Sequence, residues 1–163
     1  EDIRELHLTG HPDSKNWFEP VAERQRPTSA AAAANSIVFG ASKALVNGEV
    51  TLSDFTSEGL RQPGPLALAE TSHYRLDPGL APHAGAVELL MRSGETVREQ
   101  VDVPLGHPAR PLSWDQLVDK FKDCASHAPY PLTEESLRKV IDLIDHLEDV
   151  DDVSLIPQAL MAG

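Results

Sequence analysis

Apolar residues recur at helical spacing through the middle of the chain. In the run PTSAAAAANSIVFGASKALVNG, from Pro27 to Gly48, residues Ile37, Val38, Ala41, Ala44 and Leu45 fall on one stripe, the pattern of a helix that buries one face. Thr28 has the side chain of an N-cap, and the alanines from Ala30 to Ala34 carry strong helix preference. Gly48 sits where a helix ends in a left-handed residue. The pattern therefore predicts one long central helix. Gly40, in its middle, costs about 1 kcal/mol relative to alanine, which predicts a neighbour packed close to the backbone there.

Ile3 to Leu8 alternates, with Leu6 and Leu8 on one face and Glu5 and His7 on the other, and reads as a strand. HPDSKNWFEPVAERQRP follows as a long loop between prolines, carrying Trp17, Phe18, Arg24 and Arg26. Ser53 caps a short helix through Leu60, a second starts at Pro65, and HYRLDP is a brief strand. AVELLMRSGETVREQVDVP makes two strands joined at Ser93-Gly94, a hairpin turn pair. Val97, Val101 and Val103 alternate with Arg98, Gln100 and Asp102, giving the second strand one wet face. LGHPARP is a loop. Ser113 and Gln116 form a capping box for a helix whose buried face is Trp114, Leu117, Val118, Phe121 and Ala125. HAPYP ends it. Thr133 caps the next helix, with a stripe of Leu137, Val140, Ile141, Ile144 and Leu147. The tail VSLIPQALMAG packs briefly and then frays. The expectation is α+β: a small, mainly antiparallel sheet packed with the long helix, then C-terminal helices.

One domain is the natural count for a chain of 163 residues, which is long enough to bury about two-thirds of its unfolded surface. Its net charge of −12, from 14 basic and 26 acidic residues, argues against nucleic acid and anionic membrane as partners, because both need a basic footprint. Cys124 is the single cysteine; no internal disulfide can form, which fits a reducing cytoplasm. No apolar run reaches the roughly 20 residues of a membrane span, and no secretory signal is visible.

Motifs of cofactor chemistry are absent: no G-x-G-x-x-G, no phosphate loop, no H-E-x-x-H. The seven histidines are scattered; His7 and His11 are four apart, but across a strand-to-loop junction, so no metal site and no cofactor is expected. The candidate ligand contacts are few. His107 lies on a Gly/Pro loop just before a helix N-terminus, with helix capping as the plainer role. Arg24 and Arg26 have the fork geometry that grips a carboxylate, or form an exposed loop pair. Trp17 and Phe18 serve as a loop anchor or a substrate wall.

Three stretches, NSIVFGASKALVNGEVTLSDF, RSGETVREQVDVPLGHPARPLSWDQLVDKF and LIDHLEDVDDVSLI, together resemble the MmgE/PrpD family. The first matches a helix-and-connection pattern through Ser36, Ala41, Leu45, Gly48 and Phe55. The second is similar to the family's hairpin and Gly/Pro signature through Gly94, Gly106, Pro108, Pro111, Leu112, Ser113, Leu117, Lys120 and Phe121. The third is similar to its C-terminal helix and exit. The resemblance implies an α+β lid over residues 1–112 and a C-terminal helical segment, 113–163, that returns to a large helical domain. It implies cofactor-free dehydration, decarboxylation or epimerisation of a small di- or tricarboxylate, in a homo-oligomer, with the active site between lid and helical domain. That helical domain is not among these residues, so the stretch is expected to be an inactive lid fragment supplying cleft closure and substrate contacts from Arg24, Arg26, Trp17 and His107, with no catalytic residue of its own. The alternative is a self-contained protein-interaction module.

Overall fold

The strand that opens the chain organises the sheet. In the computed structural model, which describes residues 2–130 and 132–161, β1 (Ile3–Gly10) lies between β2 (Ser72–Leu76) and β3 (Gly85–Met91), with β4 (Thr96–Val101) outside β3. β1 and β2 are parallel, while β1–β3 and β3–β4 are antiparallel. This is an α+β fold with a mixed, mostly antiparallel sheet of four strands, and the hairpin turns through Ser93 and Gly94 as its sequence demands, Gly94 taking φ +91°. The chain divides into two compact units, Glu1–Pro111 and Leu112–Gly163.

In the first unit, Leu6 and Leu8 of β1 are buried against Phe18, Val38, Leu68 and Ala69, with Tyr74, Val87 and Leu89 of the neighbouring strands packed around them. The crossover between β1 and β2 holds α1 (Val21–Gln25), α2 (Ala30–Ala34), α3 (Ile37–Asn47) and α4 (Pro63–Glu70), and α3 and α4 pack on this face. The single long helix expected from Pro27 to Gly48 is thus two. Ser29, not Thr28, caps α2, accepting the Ala32 N–H at 3.2 Å. Ser36 then starts a new helix. Its Oγ accepts the Phe39 N–H at 3.0 Å and donates to the Arg24 carbonyl at 2.6 Å, so a contact twelve residues upstream fixes the break. Gly48 ends α3 at φ +86° as expected, but a methyl group on Gly40 would meet nothing within 4 Å, so no close packing explains that glycine.

The segment between β1 and α2 is more ordered than a loop, with a 3₁₀ turn at Pro12–Trp17 and α1 inside it. Thr51, not Ser53, caps the turn Leu52–Phe55, reciprocally with Asp54, and a second 3₁₀ turn follows at Gly59–Arg61. β4 is exposed along its length, Val97 and Val101 included, so its apolar face is uncovered as well as its polar one.

The second unit holds α5 (Trp114–Ser126), α6 (Glu134–Asp145) and α7 (Leu155–Met161). Both expected caps are present: Ser113 with Gln116, and Thr133 on Ser136. Ala125, Val140 and Ala159 are buried there, but Trp114, Leu117, Ile144 and Leu147 remain exposed, so only part of each apolar stripe is covered. Cys124 is exposed. Pro131, within the break expected at HAPYP, and Ala162 and Gly163, where fraying was expected, lie outside the described residues. Among the described residues no helix is long and apolar enough to cross a membrane.

Candidate functional site

One apolar cleft opens at the C-terminal end of β1, beside the start of β3. Its volume is about 330 Å³, and Trp17, Phe18, Ile37, His83, Val101 and Pro104 are among its walls, a size and lining suited to a small organic ligand. The 3₁₀ turn positions Trp17. His11 starts the turn by accepting the Asp13 N–H on Nδ1 at 3.2 Å, and the buried Ser14 hydroxyl donates to the His11 carbonyl at 2.6 Å. The turn also crowds Gly10, where a Cβ would lie 2.5 Å from Ser14 Oγ and 3.0 Å from the Phe18 ring. Phe18 is buried and stacked on Tyr74, centroids 4.9 Å apart, while Trp17 stays 47% exposed at the mouth. Of the two aromatics, Phe18 is therefore packed into the core and Trp17 lines the cleft from its exposed side.

His83 reaches the same cleft from the turn before β3, and its ring lies 5.3 Å from that of His107, tilted by 38°. The LGHPARP loop holds His107 in a tight bridge: Gly106 donates to the Arg110 carbonyl at 2.8 Å, and Arg110 to that of His107 at 2.7 Å. His107 Nδ1 accepts the Ala109 N–H at 3.1 Å, which leaves Nε2 as the protonated nitrogen of the neutral ring. Trp17 and His107 therefore come to the same end of the sheet, His107 through His83.

The two arginines do not join them. Arg24 Nε donates to the Glu19 carbonyl at 3.0 Å, and Arg26 pairs with Glu70 on α4. Glu19 also accepts the Tyr74 hydroxyl, and this hydrogen bond, helped by burial, raises the phenol above its ordinary range. Two participants were missed by pattern reading. His83 sits in an unpatterned turn, APHAG, and Tyr74 reads only as a strand aromatic; neither signals its partner locally.

A larger and shallower depression, about 1070 Å³, lies along Asn47–Pro63. Behind it, Lys43 is fully buried. Its ammonium lies 3.0 Å from Asp54 Oδ1 and donates to Gly59 O and Gln62 Oε1, each at 2.7 Å, with the Phe39 ring 5.4 Å away. Burial would raise the Asp54 carboxyl, but the Thr51 N–H, the Lys43 ammonium and the Asn47 amide together hold it below the usual range. Every one of these groups is spent on its neighbours, so the cluster is a strut that ties α3 to the Leu52–Arg61 turns.

The profile of the MmgE/PrpD C-terminal domain matches residues 1–146. Cis-aconitate decarboxylase from Mus musculus is 26% identical over 141 residues, covering 84% of this chain and 28% of the mouse protein. The enzyme of the same name from Homo sapiens is 25% identical over 141 residues, with 84% and 29% covered. The chain thus spans less than a third of the length of these relatives.

Proposed function

The chain belongs to the MmgE/PrpD family through its C-terminal domain, and from that premise we propose that it is the cleft-closing lid of a cofactor-independent lyase or isomerase acting on a small di- or tricarboxylate. The match across residues 1–146 carries this reading; the similarity to cis-aconitate decarboxylases puts decarboxylation beside dehydration and epimerisation as the reactions in scope.

Chemistry at a carbon next to a carboxylate needs an acid or base poised near neutral pH and a site closed to water. In this reading the first unit supplies closure: Trp17 is the apolar wall, and His107, packed on His83, presents a hydrogen-bonding edge to a substrate carboxylate. Arg24 and Arg26 are further carboxylate contacts, each of which must share or leave its present partner, the Glu19 carbonyl or the Glu70 carboxylate. The proton-transfer groups belong to a helical partner domain, and residues 113–163 dock on it, which accounts for the apolar side chains left exposed on α5 and α6. The complete enzyme is a homo-oligomer, and the lone exposed Cys124 suits a reducing cytoplasm.

The test is an NMR titration of the 163-residue chain with cis-aconitate, using acetate as the control. Expected are tricarboxylate-dependent shifts of the Trp17 indole and of the His83 and His107 rings, without turnover. Shifts absent from all three, or decarboxylation by the chain alone, would overturn the reading. The same exposed residues, Trp114 and Leu117 above all, favour a second reading, an interaction module without catalytic role. Light scattering with ANS fluorescence separates the two: a dye-binding or self-associating chain has the uncovered domain interface that the lid reading requires, whereas a monomer that leaves the dye dark has a complete surface and favours the module.

A further inference from the structure

The solvent-side face of the sheet brings together residues that are far apart in sequence. His7 on β1 is in register with His73 on β2 and with Glu88 on β3, and Glu88 with Arg98 on β4, so these four form a row across the sheet. Glu5 precedes His7 by two residues and therefore points to the same side of the strand. Its Oε2 lies 3.0 Å from His7 Nε2, while Oε1 is held by Arg4 Nε at 3.2 Å. The imidazoles of His7 and His73 are 5.0 Å apart between centroids, tilted by 43°.

We propose that Glu5, His7 and His73 form a binding site for a divalent transition-metal ion of the zinc class. One ligand atom from each residue lies within 4.8 Å of the other two. Tetrahedral zinc with bonds of about 2.1 Å holds its donors roughly 3.4 Å apart. The Glu5–His7 pair is already that close, and His73, exposed at the edge of the group, needs a shift of about 1 Å from its χ angles to complete it. Two imidazoles and a carboxylate are a borderline donor set that suits zinc, cobalt and ferrous iron over magnesium or calcium. Three protein ligands leave a position open. The adjoining cleft, about 310 Å³ and lined by Thr9, Arg75, Glu88 and Arg98 as well as the two histidines, has room for water or a small anion there.

The register explains why spacing along the chain does not show this site. Parallel pairing of β1 with β2 sets His73 beside His7 across a crossover of more than sixty residues.

The experiment is isothermal titration of the tag-free chain with zinc chloride at neutral pH, alongside His7→Gln, His73→Gln, Glu5→Gln and, as a control distant in sequence, His107→Gln. Expected is one saturable ion per chain, with affinity falling at least about tenfold in each of the first three variants, the lower end of what a metal site loses even with a supporting partner, and unchanged in the fourth. Cobalt(II) loading provides a second readout: its paramagnetism should broaden the His7 and His73 ring signals more strongly than those of His83 and His107 in the same unit. No saturable binding, wild-type affinity in His73→Gln, or broadening centred on His83 and His107 would each overturn the assignment.

Discussion

Replacing Lys43 by Met tests the strut behind α3. The ammonium is fully buried, with three oxygen partners at 2.7–3.0 Å. Met fills most of the aliphatic volume and removes the charge, so what is lost is electrostatic: Asp54 is left without its countercharge. Breaking a buried ion pair from one side costs about 3–5 kcal/mol. Asp54 keeps the Thr51 N–H at 2.9 Å and the Asn47 amide at 3.1 Å, and Gln62 keeps its bonds to Asn47, which places the loss at the lower end, about 3 kcal/mol. Urea unfolding followed by Trp17 fluorescence, in a Trp114→Phe background so that only the first unit reports, measures it. Lys43→Met/Asp54→Asn should lose clearly less than the two single losses added, because each single variant strands the other's partner. The pH dependence has a definite sign. Asp54 is depressed in the folded state, so its contribution is present above the ordinary carboxylate pKa of about 3.9 and disappears as pH falls through the lowered value. The gap between wild type and Lys43→Met should therefore narrow in acid. A loss under about 1 kcal/mol, or strict additivity in the double variant, would refute the strut.

Gly40→Ala should stabilise the first unit by roughly 0.5–1 kcal/mol, since the new methyl meets nothing within 4 Å; a rise in denaturation midpoint at constant m-value checks it. Gly59→Ala should do the reverse. Its Cβ would fall 2.2 Å from Ser53 O and 2.6 Å from the Asp54 backbone, where no flexible side chain can yield. A loss of about 1–3 kcal/mol is expected, less than additive with Lys43→Met because Gly59 O is a Lys43 acceptor. In the second unit, the Asp142 backbone hydrogen bond to His146 is the largest cause raising that imidazole above 6.5. Its stabilisation is complete below that value and lost as pH rises through the folded pKa. NMR titration should show the raised value, and His146→Gln should flatten that pH dependence.

Much of the architecture is legible because it is local. The period-two alternation of Leu6 and Leu8 against Glu5 and His7, the Ser93-Gly94 turn, the left-handed Gly48, and the Ser113–Gln116 and Thr133 caps each depend on residues within a few positions of one another. Backbone sterics and nearest-neighbour hydrogen bonds decide such features, and a sequence displays them directly. The family signature was legible for the same reason, in short ordered runs of residues. The rest required the folded chain. Ser36 breaks the central helix because Arg24 offers it a carbonyl. Lys43 is buried because two turns beyond α3 fold back to supply its oxygens. His83 meets His107, and His73 meets His7, only through sheet register and loop placement. An amphipathic stripe likewise states that a helix has an apolar face, not how much of it is covered, so Trp114 and Leu117 could be placed on one face of α5 but their exposure could not be foreseen. Periodicity records the preferences of a segment. Pairing across tens of residues is settled by which segments pack together, and no local window of the sequence contains that information.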